Sequence, residues 1–348
     1  MRLWTSILIL LFVRATAAPL QQYSADRTDD VVKLRDAKSE TTVSILPSVG
    51  NVAFEMNIKG ANVLRFPYAS LDEFRKKPGL NGIPFLGPWA NRLDEPAFYA
   101  NGRKYNLNME LGNVKGNHPI HGFLSSAPWQ VVEARADDKS AWVTSRLEFF
   151  KQPTWMAQFP FAHTIDMTYR LENGVLEVRT LIQNLSAEPM PVSVGYHPYF
   201  QLTDSPRDDW TVSIAARTEW LLSPDKLPTG QTRPVEQLVP NPQQIRLRDF
   251  DLDHVFGELI RDAQGSAVMT VRGRSQKLDI LIGPGYRAAV IYAPAPAGGP
   301  NRNFICFEPM AGITNALNLA QRGLYNELQS IPPGGTWQES WWIRPSGF

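Results

Sequence analysis

Along residues 163–171 apolar and polar positions alternate with a period of two. His163, Ile165, Met167, Tyr169 and Leu171 share one face, and Thr164, Asp166, Thr168 and Arg170 share the other. That is the pattern of a β-strand buried on one side. Glu172-Asn173-Gly174 follows, then a second β-rich run over 175–183. The pair predicts a hairpin, because Asn and Gly accept the positive φ of a tight turn. A second hairpin is predicted from 97–100 and 103–107 across Asn101-Gly102. Further strand-like runs lie at 42–46, 52–58, 129–134, 141–149, 210–216, 267–272, 277–282, 288–292, 304–307 and 339–343. Helix signals are confined to 70–77 and 314–320, and the 28 prolines spread along the chain oppose long helices. Many strands separated by turn signals predict an all-β protein, a sandwich or barrel of antiparallel sheets.

The N-terminus differs in kind. Arg2 precedes an apolar run over 3–13, interrupted by Thr5 and Ser6, and Ala15-Thr16-Ala17 then offers a small-x-small cleavage pattern. The run is far shorter than the ~20 residues needed to span a bilayer. A signal peptide is therefore expected over 1–17, a polar lead-in over 18–30, and one continuous domain over 31–348. This reading makes the protein secreted or periplasmic. No segment resembles an interdomain linker, and the Pro/Gly/Ala-rich stretch 293–300 reads as a long loop between strands.

Composition narrows the function classes. Hydrophobic residues make up 43% and charged residues 20% of the chain, which is ordinary for a soluble globular protein. The net charge is +1 with no basic run, so neither nucleic acid nor, after signal cleavage, a membrane is an expected partner. Cys306 is the single cysteine, which excludes an intrachain disulfide and a cysteine-based metal site. Asn184-Leu185-Ser186 forms a glycosylation sequon.

Candidate chemistry sits beside turn residues. His118 and His121 lie in Asn117-His118-Pro119-Ile120-His121-Gly122, and His197 lies in Gly195-Tyr196-His197-Pro198-Tyr199-Phe200. Flanking Gly and Pro put these histidines at strand ends or turns, whereas His163, on the apolar face of its strand, reads as a core residue. Asp253 in Leu252-Asp253-His254 and Glu308 in Phe307-Glu308-Pro309 are the matching carboxylates. Glu308 closes an apolar run and is expected to be partly buried at a strand terminus. Burying a carboxylate is costly unless it is hydrogen-bonded or functional.

These pieces, together with Pro88-Trp89-Ala90-Asn91-Arg92-Leu93, resemble in order and spacing the signature of aldose 1-epimerases (galactose mutarotases). The resemblance runs from about residue 40 to the C-terminus. It implies a large antiparallel β-supersandwich, with Glu308 as general base and His197 as general acid. Arg92, His121 and Asp253 would hold sugar hydroxyls, supported by Asn91. The implied substrate is a free hexose or pentose aldose, with no cofactor and no metal, turned over by a monomer or homodimer. Anomer exchange needs one proton removed from the anomeric hydroxyl and one delivered to the ring oxygen, and an acid with a base suffices for that. Trp89, Phe123, Trp129 and Phe200 lie near these motifs and are candidates to line a sugar cleft. Between Met310 and Asn318 the chain departs from the family pattern, which leaves the identity of the sugar open. Two rivals remain: a glycoside hydrolase pairing Glu308 with Asp253, and a non-catalytic carbohydrate-binding protein on the same fold.

Overall fold

The computed structural model describes residues 21–110, 114–295 and 302–348. The expected signal peptide, and residues 296–300 of the long loop, lie outside the described residues.

The described chain is almost all antiparallel sheet. Its largest sheet has nine strands in the order Gln130–Ala136, Ala141–Glu148, His163–Glu172, Val175–Asn184, Thr336–Ser346, Lys277–Ile282, Ala267–Arg272, Thr211–Ser213 and Ile245–Arg246. A second sheet runs Pro228–Pro234, Ala216–Leu222, Leu252–Leu259, Ala288–Ala293, Ile305–Met310, Gly195–Tyr196 and Phe85–Leu86, and Tyr199–Phe200 also pairs with Ile305–Met310. A five-stranded meander from Tyr23–Thr28 to Ala61–Asn62 completes the main layers.

The predicted hairpin forms as its pattern requires. His163, Ile165, Met167, Tyr169 and Leu171 are all buried, and residue pairing runs from His163 with Asn184 to Glu172 with Val175. Asn173 and Gly174 both take positive φ, at 49° and 75°, the conformation of a two-residue turn that matches strand twist. Tyr196 of the second sheet packs on Trp341 of the first at 5.4 Å between ring centroids, and its hydroxyl shares a 2.6 Å hydrogen bond with Thr180. One apolar cluster joins residues from Tyr23 to Ile343 between the layers.

Several boundaries differ from expectation for local reasons. The stretch read as a polar lead-in carries the strand Tyr23–Thr28, paired in register with Val31–Asp36. Only Tyr23 of that strand is fully buried, so its outward-facing polar residues hid it. The run over 210–216 divides into Thr211–Ser213 and the start of Ala216–Leu222, because Ile214 donates to the Pro242 carbonyl instead of continuing the ladder. The helices are Leu71–Lys76, capped by the Ser70 hydroxyl accepting from the Glu73 amide, and Ala316–Gln321. A third helix, Pro153–Gln158, carries no charged residue and gave no amphipathic signal.

Asn184 of the sequon is fully buried. Its amide nitrogen donates to the carbonyls of Glu188, Ile331 and Pro332, and its oxygen accepts from the Ser186 amide and hydroxyl. The folded protein therefore offers no acceptor there for a glycan. Asn184→Ala removes the shared donor of these three carbonyls and the acceptor of the Ser186 amide and hydroxyl, although the Glu188 and Pro332 carbonyls keep the Ser186 hydroxyl and the Gly335 amide. It should lower stability by about 1–3 kcal/mol, measured by denaturant unfolding.

Candidate active site

Alternation along the second sheet sorts its residues between core and cleft. Leu252, Ile291, Phe307 and Tyr196 enter the core, while their chain neighbours Asp253, Tyr292, Glu308 and His197 face outward into one hollow. Register aligns these outward groups: Asp253 lies opposite Tyr292 and Glu308 opposite Val290, on two adjacent strand pairs that share Ala288–Ala293.

Glu308 lies within Ile305–Met310 rather than at a strand end, and it is 1% exposed. Pro309 does not stop the strand. The Ala311 amide donates to the Val194 carbonyl, so by the two-residue period the Pro309 nitrogen faces the same neighbouring segment. There Gly195–Tyr196 and Tyr199–Phe200 pair with the strand but His197 and Pro198 swing out of the ladder. The missing N–H falls in this gap, where it costs no hydrogen bond. His197 is delivered to Glu308 by the same interruption: its Nε2 lies 3.2 Å from Glu308 Oε1.

The other half of the hollow comes from two interlocked turns. The Phe123 amide donates to the Gly87 carbonyl, His121 to Asn91, and Leu93 to Pro119, each at 2.9 Å. Asn91 and His121 take positive φ, at 57° and 61°. Gly122, also at positive φ, approaches so closely that a Cβ there would stand 2.0 Å from the Gly87 oxygen. The Asn91 amide donates to His121 Nδ1 at 3.1 Å, and Asn91 Oδ1 accepts from the Arg92 amide at 2.8 Å and guanidinium at 3.3 Å. Because Nδ1 accepts, neutral His121 carries its proton on Nε2.

All six residues singled out from sequence, Asn91, Arg92, His121, His197, Asp253 and Glu308, line this one cleft of about 410 Å³. Tyr199 and Tyr292 also line it and were missed. The His197 ring stacks on Tyr199 at 4.7 Å and 8°, which orients the imidazole, and Tyr292 meets it edge-on at 5.9 Å. Tyr199 lay in a motif already singled out, two residues after His197. Tyr292 reaches the cleft only through pairing with Asp253, for which single-sequence reading has no signal.

Three expectations change. Trp89, Trp129 and Phe200 are core residues, and Phe123 packs on Trp89, so none lines the cleft. His254, next to Asp253 in sequence, bonds Glu219 through Nδ1, and Glu219 also accepts from Arg233 at 2.6 Å. His118 stands outside this hollow, while His163 is a core residue stacked on Phe149 as its strand face implied. The divergent stretch after Glu308 does not face the cleft either. Asn318 donates to Asp94 and to the Ala97 carbonyl, and Asn315 accepts from the Asp94 amide, so the stretch braces the chain just beyond Arg92.

Burial dominates the electrostatics. It pushes the Glu308 carboxyl well above the ordinary range, helped by nearby Asp253 and opposed by Arg92. It also pulls His197 down to about 3. His121 is lowered well below its usual value by burial, with His197, Arg92 and Lys115 adding repulsion. The dry site thus favours neutral forms of all three. Glu308 Oε2 has no hydrogen-bond partner among the described residues and is the carboxyl oxygen free for a ligand.

An antiparallel β-supersandwich with a buried imidazole–carboxyl pair in an open cleft defines a galactose mutarotase-like protein. The fold superposes on a galactose mutarotase-like protein from Clostridium acetobutylicum with a TM-score of 0.81 at 23% identity, covering 94% of this chain and 98% of that one. Galactose 1-epimerase from Lactobacillus acidophilus NCFM gives 0.71 at 17% identity, covering 93% and 98%. The uncharacterized protein YphB of Escherichia coli (strain K12) is 28% identical over 256 residues, 72% of this chain and 78% of its own. Residues 32–344 match the aldose 1-epimerase family, and the chain belongs to it.

The raised Glu308 pKa carries a stability cost with a defined sign. Above 4.5, the ordinary glutamate value, the unfolded chain releases this proton while the folded chain retains it. The folded state then binds more protons, and stability falls as pH rises, by about 1.4 kcal/mol per unit while the difference lasts. Glu308→Gln removes that cost. The variant should melt above the wild type at pH 8, with the gap closing as pH falls toward 4.5, measured by thermal unfolding across pH.

Proposed function

We propose that the protein interconverts the α and β anomers of a free aldose by acid–base ring opening and closure. The observation that carries this reading is the 3.2 Å contact between His197 Nε2 and Glu308 Oε1 at the cleft wall. The two oxygens that exchange protons in mutarotation, the anomeric hydroxyl and the ring oxygen, are bonded to one carbon. An acid and a base that touch each other suit such a pair. Glycosidases instead separate their two carboxyls by roughly 5–9.5 Å to admit a nucleophile or water, and the partner of Glu308 here is an imidazole.

Glu308 as carboxylate takes the anomeric proton, and protonated His197 gives its proton to the ring oxygen as the C1–O5 bond breaks. The products are the aldehyde, a neutral carboxyl and a neutral imidazole. Burial favours those neutral forms, so ring opening relieves a desolvated ion pair. Rotation about C1–C2 presents the other carbonyl face. The C5 hydroxyl attacks it, His197 regains its proton, and Glu308 returns its own to the new anomeric oxygen. Nε2–H of His121 donates to a sugar hydroxyl, the Arg92 fork spans two, and Asp253 accepts from another.

The pair holds one exchangeable proton throughout and titrates as a unit. A second proton must reach His197, which is held near 3, and loss of the only one must come from Glu308, which is held high. The kcat/KM profile should therefore stay flat across the ordinary Glu-to-His interval of about 4.3 to 6.5 and beyond it on both sides.

Polarimetry of freshly dissolved α-aldoses tests the activity. Glu308→Gln and His197→Asn should each lose roughly 10²–10⁴ in turnover, the double variant less than the product. Arg92→Ala should act mainly on KM. Wild-type rates in Glu308→Gln would identify a binding protein, and new reducing ends from oligosaccharides would identify a hydrolase. We further propose export with removal of residues 1–17; N-terminal sequencing of the mature protein should begin near Ala18.

A further inference from the structure

The cleft does not end at the sugar-sized hollow. A second hollow of about 400 Å³, as large as the first, opens from it and shares the walls formed by Arg92, Lys115 and Asp253. His197, Glu308 and Tyr199 line only the first hollow. The second therefore lies at the end away from the reacting pair. Its walls add Lys226, His118 and Asp225.

Charge in the second hollow is unbalanced toward positive. Arg92, Lys115 and Lys226 face Asp225 and Asp253, and the one ion pair among these five groups in the described structure is Lys226 with Asp253 at 3.4 Å. Arg92 is only 8% exposed, yet its guanidinium bonds the neutral Asn91 amide oxygen and no carboxylate among the described residues. A nearly buried cation without an anion is costly, and a ligand anion would offset that cost. Lys226 is aimed into the site by its backbone. It sits at φ 64° in a turn closed by the Lys226 amide on the Ser223 carbonyl and the Ser223 amide on the Leu227 carbonyl.

Resting on the epimerase reading, we infer that the substrate is a reducing-end oligosaccharide whose second sugar residue carries a carboxylate. A first ring occupies the hollow beside His197 and Glu308. A second ring, joined through a position across the first ring from the anomeric carbon, fills the adjoining hollow of equal size. Its carboxylate pairs with Lys115 and Lys226 beside Arg92. No bond to the second residue breaks; only the reducing-end anomer exchanges.

The test compares kcat/KM for anomer equilibration of digalacturonate, galacturonate, lactose and galactose, followed by proton NMR. Digalacturonate should exceed galactose by at least roughly tenfold, with galacturonate and lactose between them. Lys115→Ala should remove roughly tenfold of the digalacturonate rate and leave galactose within twofold, and added salt should act in the same direction. Galactose turnover with no gain for digalacturonate overturns this inference alone. An equal effect of Lys115→Ala on both sugars, or lactose outrunning digalacturonate, does so too. Failure to equilibrate all four sugars overturns the epimerase reading with it.

Discussion

A carboxyl and an imidazole touching in a nearly dry wall set the terms for the rest of this fold. Each group alone resists ionisation there, as the opposite pKa displacements of Glu308 and His197 show. Together they hold one proton at no net charge, so the pair is tolerable as a unit where either member charged alone is not. Keeping them 3.2 Å apart requires two chain segments whose positions are fixed independently. Ile305–Met310 is held by full pairing with Ala288–Ala293. His197 leaves the sheet, so its position needs support of another kind.

That support comes from the segment 82–93. The Tyr199 amide donates to the Gly82 carbonyl, His197 to Pro84, and Ala90 to Ser193, while the Gly87 carbonyl accepts from Phe123 and Leu124. One stretch of irregular backbone thereby stitches the His197 loop to the His121 turn, and every amide in the stitch has a named acceptor. Tyr196 anchors the same loop from beneath through Thr180 and Trp341. His197 is thus clamped between a turn network above and the opposing sheet below. Such clamping is what a site needs to hold proton-transfer geometry without movement at each turnover.

Much of this was legible in the chain. Strand identity followed from period-two patterning wherever one face is buried, as in His163–Glu172. The Gly- and Pro-flanked histidines marked the places where regular pairing stops. What stayed hidden depends on contacts distant in sequence. Glu308 looked terminal because it closes an apolar run, and only the gap opposite Pro309 explains why the strand continues past it. The aromatic residues beside the motifs looked like cleft walls, yet alternation sends Trp89, Trp129 and Phe200 inward, while Tyr292 arrives from a strand with no motif of its own. Tyr23–Thr28 was missed because an edge strand needs only one buried side chain to be held. The stretch 310–318 looked like a determinant of sugar choice, and its buried asparagines instead hold the Arg92 turn.

The two ends of the cleft are built from different material, and this divides its tasks. His197, Tyr199, Tyr292 and Glu308 stand on or beside the central strands of one sheet, where neighbours on both sides restrict any change. Lys115, His118 and Lys226 come from short strands and turns that pair little with the rest of the fold. On the proposed reading, substitution at the first end alters the proton relay, and substitution at the second alters what the cleft accepts beyond the reacting ring. Arg92 and Asp253 sit where the halves meet and serve both. A scaffold so arranged can change what it accepts by replacing turn residues while His197 and Glu308 stay in place. On the proposed reading, the turns at 114–121 and 223–227 therefore bear more directly on the sugar than the stretch between Met310 and Asn318, which does not line the cleft.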